Sequence, residues 1–330
     1  MKIRLVFLVW LVFCSFFVPS LRAEHKTLNI AQGYIAADIL PLWMAKERNL
    51  FEKHGLATDI TYVRGGKNIV AALFSGQSDM AVILPSSFLL ANLQGMDFVF
   101  IGNSHSVLKY VLVAHPSVKS PADLRGKRMA ISAVGDLTYS MAMMALERLG
   151  IQRRDLELIQ VGQQPDRMLA LKNGSVQATM VSSPFDYTLI KEGFVPLFDS
   201  TNEVRTLATS YTAQRKFLQS AAHQAMSEKF LMAMMEAVKI IKTDRDYSLQ
   251  VLNKNLRTTD SEILNYSYDF LAPVYHQLPA IKTDEVKTLI DLILPADKRK
   301  ELNPERQFDN GLVMKIDKAG FLSTLYKTAK

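Results

Sequence analysis

The sequence predicts an α/β chain of two hinged lobes with a helical C-terminal tail. Three observations carry this. Residues 63–87, VRGGKNIVAALFSGQSDMAVILPSS, give strand, helix and strand signals in turn. A second series of short apolar runs alternating with helical patterns occupies about 115–198. Two candidate crossing strands, the apolar 110–114 and 207–212, flank that series, and from Arg215 onward the periodicity is almost entirely helical.

In chain order, Leu28 and Ile30 alternate in a short strand over 27–31, and Gln32-Gly33-Tyr34 is its exit loop. Residues 38–48 read as a helix, with Pro41 in its first turn and Leu42, Trp43 and Ala45 facing inward. Residues 49–56 are a helix end and connector, and 59–63 form the next strand. Gly65-Gly66 then turns the chain, and Ile69, Val70, Leu73 and Phe74 lie at helical spacing. Ser75 to Asp79 stops that helix. Met80 to Leu84 is unbroken apolar sequence, as expected of a parallel strand covered on both faces. Pro85-Ser86-Ser87 opens a helix that continues to residue 92, with Ser suited to the N-cap and Pro to a first turn. Residues 98–101 form a strand that leaves through 102–106, and 110–114 read as a strand crossing between lobes.

The second lobe opens with a helical turn at 120–124 and a strand at 127–131, whose exit loop is 133–138. A helix over 139–149 stops at Gly150. A strand at 156–161 exits through Gly162-Gln163-Gln164-Pro165 into a helix at 166–172. A strand at 176–181 exits through Ser182-Ser183-Pro184 into a helix at 185–192, and 195–198 is the last strand. Residues 207–212 read as the return crossing. Helices follow at 219–244, 247–253, 260–273, 283–294 and 318–326, the first with Phe230, Ala233, Met234, Ala237 and Ile241 on one stripe. This tail has no strands and is expected to pack on the first sheet. The domain plan is therefore 24–114 for the first part of lobe 1, 115–205 for an inserted lobe 2, and 206–330 for the return to lobe 1.

Residues 1–23 stand apart. Lys2 and Arg4 precede fourteen uncharged apolar residues, Leu5 to Val18, and the segment ends at Ala23. This is the pattern of a secretory signal peptide cut after Ala23, and the run is too short for a spanning helix. Leu21, large for its place before the cut, leaves an uncleaved anchor as the alternative. Cys14, the chain's one cysteine, lies in that run, so the exported chain has no disulfide, no cysteine metal ligand and no cysteine nucleophile.

The rest is ordinary globular composition, 48% hydrophobic and 22% charged. The formal charge of +7 falls to about +4 without Lys2, Arg4 and Arg22 (36 basic against 32 acidic residues). Lys298-Arg299-Lys300 is short, flanked by acids, and reads as a solvated helix face, so no nucleic-acid partner is expected. The six histidines make no H-x-H or H-E-x-x-H spacing, there is no G-x-S-x-G elbow, and Gly65-Gly66-Lys67-Asn68 is not a Walker loop. No enzyme, metal or cofactor is expected.

Strand exits of both lobes should face one cleft, where ligands prefer to bind. The candidate ligand residues are Tyr34, Gly65, Gly66, Lys67, Pro85, Ser86 and His105 in the first lobe, and Gly135, Asp136, Thr138, Gln163, Ser182 and Ser183 in the second. Helix N-termini there present bare N–H groups to an anion or a carbonyl-rich molecule. Tyr34 can stack on or hydrogen-bond to a ligand or simply pack. The glycines let backbone approach or merely turn the chain. Ser86 and Thr138 can donate hydroxyls or cap helices. His105 can donate to an oxyanion or lie at the surface. Asp136 can orient an amine or serve its helix dipole. The exit loops hold few other carboxylates, which argues against a small cation.

Met44 to Leu56, MAKERNLFEKHGL, resembles the A-K-E-x-G-x-F-E-K-x-G-L stretch of exported solute-binding proteins of the nitrate/sulfonate/taurine type, the NMT1/THI5-like or SsuA-type family. Gly65-Gly66 followed by Ala72-Leu73-Phe74-Ser75-Gly76-Gln77-Ser78-Asp79 is similar to that family's G-G…A-L-x-S-G-x-x-D block, and Leu124-Arg125-Gly126-Lys127-Arg128 to its L-x-G-K-x strand start. The resemblance spans residues 27 to about 198. It implies a type II periplasmic-binding-protein-like fold and a monomer that captures a small solute in the periplasm. Such a protein delivers its solute to an ABC permease in the inner membrane. Family ligands include nitrate, alkanesulfonates, taurine and pyrimidine precursors of thiamine. Two other roles stay open: a ligand-sensing module for a separate membrane sensor, and a thiamine-pyrimidine synthase, whose cysteine-rich motif this chain lacks.

Overall fold

The computed structural model describes residues 27–327; the signal-peptide assignment over 1–23, with Cys14 and the cut after Ala23, lies outside the described residues. The chain begins β1 (Leu28–Gln32), α1 (Leu40–Glu47), α2 (Leu50–Lys53), β2 (Thr58–Tyr62), α3 (Gly66–Ser75), β3 (Met80–Ile83), α4 (Ser86–Leu93) and β4 (Phe98–Asn103). It continues as β5 (Tyr110–Ala114), β6 (Arg128–Ile131), α5 (Leu137–Arg148), β7 (Glu157–Gln160), α6 (Gln164–Lys172), β8 (Ala178–Ser182), α7 (Phe185–Lys191) and β9 (Val195–Asp199). Then β10 (Ser210–Gln214) is followed by α8 (Ala221–Thr243), α9 (Arg245–Leu256), α10 (Ser261–Val274), α11 (Thr283–Ile293), α12 (Gly311–Lys318) and α13 (Phe321–Leu325).

Two five-stranded sheets result, in the orders β2-β1-β3-β10-β4 and β7-β6-β8-β5-β9. β1 runs parallel to β2 and β3, and β6 runs parallel to β7 and β8, because short crossover helices join them. Each sheet also admits one antiparallel strand that arrives from the other lobe. β10 pairs with β3 and β4, and β5 pairs with β8 and β9.

That corrects the crossing assignment. Residues 110–114 lie inside the second sheet, and the return strand is 210–214 rather than 207–212. β5 is apolar and buried throughout, whereas β10 buries the hydroxyls of Ser210 and Thr212, which hydrogen-bond each other at 3.2 Å. The chain crosses between lobes just before each of them, where Val107 and Arg205 form an isolated antiparallel bridge. At α4, Pro85 takes the N-cap and Ser86 is the first helical residue, so the serine does not cap. The helix expected at 318–326 is the shorter α13, entered at Gly320 (φ 79), where a left-handed residue is needed, and α12 before it was not expected.

The first lobe's core forms where α8 lays Phe230, Ala233, Met234, Ala237 and Ile241, all buried, against α1. Phe51 stacks on Phe230 at 5.9 Å and Tyr211 meets it edge-on at 5.3 Å. Each such large side chain contributes roughly 1.5–3 kcal/mol by burial. The tail departs from expectation at α11. Its buried Val286, Leu289, Ile290 and Ile293 pack against α5 of the second lobe as well as α4 of the first. One amphipathic helix thus spans both lobes behind the crossing segments.

Candidate functional site

The strand exits meet at a cavity of ≈ 560 Å³ between the lobes. On the first lobe, the loop after β1 is fixed from beneath. Trp43 Nε1 donates to Gln32 Oε1 at 3.1 Å, and Gln32 Nε2 donates to the Tyr34 carbonyl at 2.9 Å. That places the Tyr34 hydroxyl 2.8 Å from Asp38 Oδ2, to which it donates, and 2.8 Å from Thr209 Oγ1. Asp38 Oδ1 is inaccessible and has no hydrogen-bond partner. Burial pushes the Asp38 carboxyl up to about 6, against the pull of the Tyr34 and Thr209 hydroxyls.

The glycine turn after β2 forms the next part of this wall. Gly65 has φ 91 and caps α3, a conformation that other residues resist. A Cβ on Gly66 would lie 1.9 Å from Ser87 Oγ, so the first turns of α3 and α4 touch only because that side chain is missing. Ser86, buried, and Ser87 complete the wall. His105 lines the cavity too, but it is 2% exposed, set edge-on to Tyr275 at 5.5 Å and hydrogen-bonded to Ser104 Oγ at 2.8 Å. Burial, with His276 nearby, lowers it to about 3. It is therefore neutral and offers no positive charge to an oxyanion.

On the second lobe, α5 and α6 direct their N-termini at the cavity. Asp136 is the N-cap of α5 and accepts from the Tyr139 N–H at 2.8 Å, so part of its charge serves the helix. Thr138 hydrogen-bonds the buried Tyr110, whose hydroxyl burial pushes up. Gln163 is the N-cap of α6, and Gln164 Oε1 accepts from Ser182 N at 3.0 Å and Ser182 Oγ at 3.2 Å. Ser183 Oγ and Ser132 Oγ are buried without partners and line the same cavity. Three partnerless buried oxygens around one hollow mark a polar ligand site rather than a packing defect.

Arg167 is the cation of this wall. It is 3% exposed. Nε donates to Thr179 Oγ1 at 3.2 Å, Nη1 to the Gly162 carbonyl at 2.5 Å and Nη2 to the Met180 carbonyl at 3.2 Å. Its partners are all neutral, and among the described residues it makes no ion pair. Burial lowers its pKa, opposed by the more distant carboxylates of Asp136 and Asp166. Arg64 and Asp166 face each other across the cleft at 3.4 Å.

Of the thirteen candidates, Tyr34, Gly65, Gly66, Ser86, His105, Asp136, Thr138, Gln163, Ser182 and Ser183 border the cavity. Lys67 points into solvent from the first turn of α3, Pro85 is buried behind the wall, and Gly135 only turns the chain into α5. The sequence reading missed Asp38, Ser87, Lys109, Tyr110, Ser132 and Arg167. Asp38 and Asp166 line the cleft with Asp136, and neither was among the candidates. A second hollow, ≈ 640 Å³, shares only Val107 with the first. In its lining Ser106 Oγ donates to Glu285 Oε1 at 2.6 Å, and Thr206 Oγ1 donates to the Glu285 carbonyl at 2.9 Å. It joins the crossing segments to α11.

Two α/β lobes, two crossing segments and a polar cleft at the strand exits define the periplasmic-binding-protein-like class. The chain belongs to the NMT1/THI5-like family, whose model matches residues 36–247. It is 30% identical over 174 residues to the taurine-binding periplasmic protein of Escherichia coli (strain K12), covering 52% of this chain and 53% of that one. The chain thus spans about half the length of the curated relatives it matches. In fold it is similar to the periplasmic aliphatic sulphonate binding protein SsuA from Escherichia coli, with a TM-score of 0.72, 20% identity and coverage of 86% and 91%. It is also similar to the periplasmic nitrate-binding protein NrtA from Synechocystis PCC 6803, with a TM-score of 0.71, 14% identity and coverage of 90% and 89%. Among the described residues no helix is long and apolar enough to cross a membrane.

Proposed function

We propose that the protein is the solute-capturing component of an ABC importer, and that its cleft takes a small zwitterion. One observation carries this. Arg167 on the second lobe and Asp38 on the first line one cavity, and neither makes an ion pair among the described residues. Leaving both charges uncompensated is costly, and a molecule with an anionic head and an ammonium group satisfies both at once. The anion meets the free N–H groups of Arg167 and the N-termini of α5 and α6. The ammonium pairs with the Asp38 carboxylate on the opposite wall. A 2-aminoalkanesulfonate has this chemistry, in keeping with the relative named for taurine.

The cleft binds its solute without transforming it. No cysteine lies among the described residues, and His105, the imidazole of the cleft, is neutral and turned to Ser104. Export to the periplasm and delivery to an inner-membrane permease complete the role. A thermal-shift panel of 2-aminoethanesulfonate, ethanesulfonate, nitrate and a pyrimidine tests it. A solute at 100 times its Kd raises stability by about 2.7 kcal/mol. The zwitterion is expected to give the largest shift. A larger shift with nitrate or the pyrimidine would refute the assignment.

A further inference from the structure

Beside the cleft, α7 of the second lobe meets α10, which packs on the first. Tyr266 on α10 donates to Asp186 Oδ2 on α7 at 2.5 Å. Tyr187 donates to Glu262 Oε2 at 2.8 Å, and Lys191 Nζ reaches the same oxygen at 2.7 Å. The Tyr187 and Tyr266 rings lie 4.7 Å apart. Lys109, on the first crossing segment, stands 3.8 Å from Asp186 and 3.1 Å from Asp199, with its ammonium 5.4 Å from the Tyr266 ring centroid. Lys109 also lines the ligand cavity, whereas Asp186 and Tyr266 do not.

Two features distinguish this contact from static packing. Its members ride on different lobes, so any hinge motion that widens the cleft at this rim pulls them apart. It is also incompletely satisfied. Asp186 is fully buried, yet its Oδ1 has no partner. A buried carboxylate with one bare oxygen gains hydration when the contact opens, which keeps the closed arrangement only slightly favoured. Lys109 joins this contact to the ligand wall. Apparent affinity then depends on the fraction of molecules that are closed.

We propose that the α7–α10 contact is a closure clasp, made as the cleft narrows on its solute and broken as it opens. Asp186 and Tyr266 are positioning residues that set how long the solute stays, without touching it. The proposal rests on the solute-capture reading.

The test is stopped-flow binding of 2-aminoethanesulfonate to wild type, Tyr266→Phe and Asp186→Asn. Removing a charge-assisted hydrogen bond from the closed state is expected to raise the dissociation rate about tenfold, while the association rate changes less than about twofold. The surface variant Glu262→Lys, which leaves the core intact, is expected to speed dissociation, and Lys191→Glu/Glu262→Lys to restore it. Unchanged dissociation rates with a lowered melting temperature would overturn the clasp and leave mere packing. Should wild type not bind this probe, the zwitterion assignment fails, and ligand-free scattering decides the clasp. A larger radius of gyration for Tyr266→Phe supports it, and an unchanged radius overturns it.

Discussion

Arg167→Met removes the cation of the cleft and keeps most of its volume. In the ligand-free protein the change has two opposing parts. Three hydrogen bonds are lost, to Thr179, Gly162 and Met180, at about 1 kcal/mol each. Against this, a 97% buried charge without an ion-pair partner disappears, and its desolvation costs several kcal/mol. The two offset, so the ligand-free melting temperature is expected to move by only a few degrees. Binding is different. A guanidinium has five N–H groups, three are spent on the protein, and two remain for a ligand anion. Charge-assisted bonds contribute roughly 1.5–3 kcal/mol each. Allowing for non-additivity, a loss of about 3 kcal/mol is expected, a factor of roughly 100 in Kd. Isothermal calorimetry with 2-aminoethanesulfonate measures it. A variant that unfolds cooperatively and binds within threefold of wild type would refute the role given to Arg167.

Asp38 gives a pH signature. Only its ionised form accepts an ammonium, so affinity for the zwitterion is expected to fall as pH drops through about 6, by up to roughly tenfold at pH 5. Asp38→Asn should flatten the profile. Its folded pKa lies above the ordinary carboxyl value, so the folded form binds the proton more readily than the unfolded one. The ligand-free protein should therefore gain stability as pH falls from about 6 towards 4, and Asp38→Asn should lose that slope in thermal melts. Ser183→Ala removes a hydroxyl with no partner in the protein. Melting should be unaffected while affinity weakens about fivefold in the same titration. Gly66→Ala sets a methyl against Ser87 Oγ and should part α3 from α4, weakening binding more than its loss of melting temperature explains.

The lobes were legible because their signals are local. The apolar run at β3, the Gly65-Gly66 turn and Asp136 ahead of α5 can each be read within a dozen residues, and their exit loops border the cavity. What stayed hidden depends on distant chain. β5 and β10 enter sheets built by other segments, so their local sequence could not say which lobe holds them. Asp38 and Arg167 sit in helical patterns where a charge normally faces water. Asp38 is enclosed by Thr209 across 171 residues, and Arg167 is held by Thr179 and Met180 on a strand of the second sheet. His105 was a candidate oxyanion donor or a surface residue in the sequence, and only the fold shows Tyr275 covering it. α11 showed a clear amphipathic stripe, but periodicity alone does not tell which two helices it will touch.

The most direct measurement is a calorimetric comparison of 2-aminoethanesulfonate with its two half-molecules, ethanesulfonate and ethylamine, on the unmodified protein. If one solute bridges Asp38 and Arg167, the zwitterion should bind at least about tenfold more tightly than either half. Ethanesulfonate binding as tightly as the zwitterion would show that the first lobe's carboxylate takes no part in holding the solute.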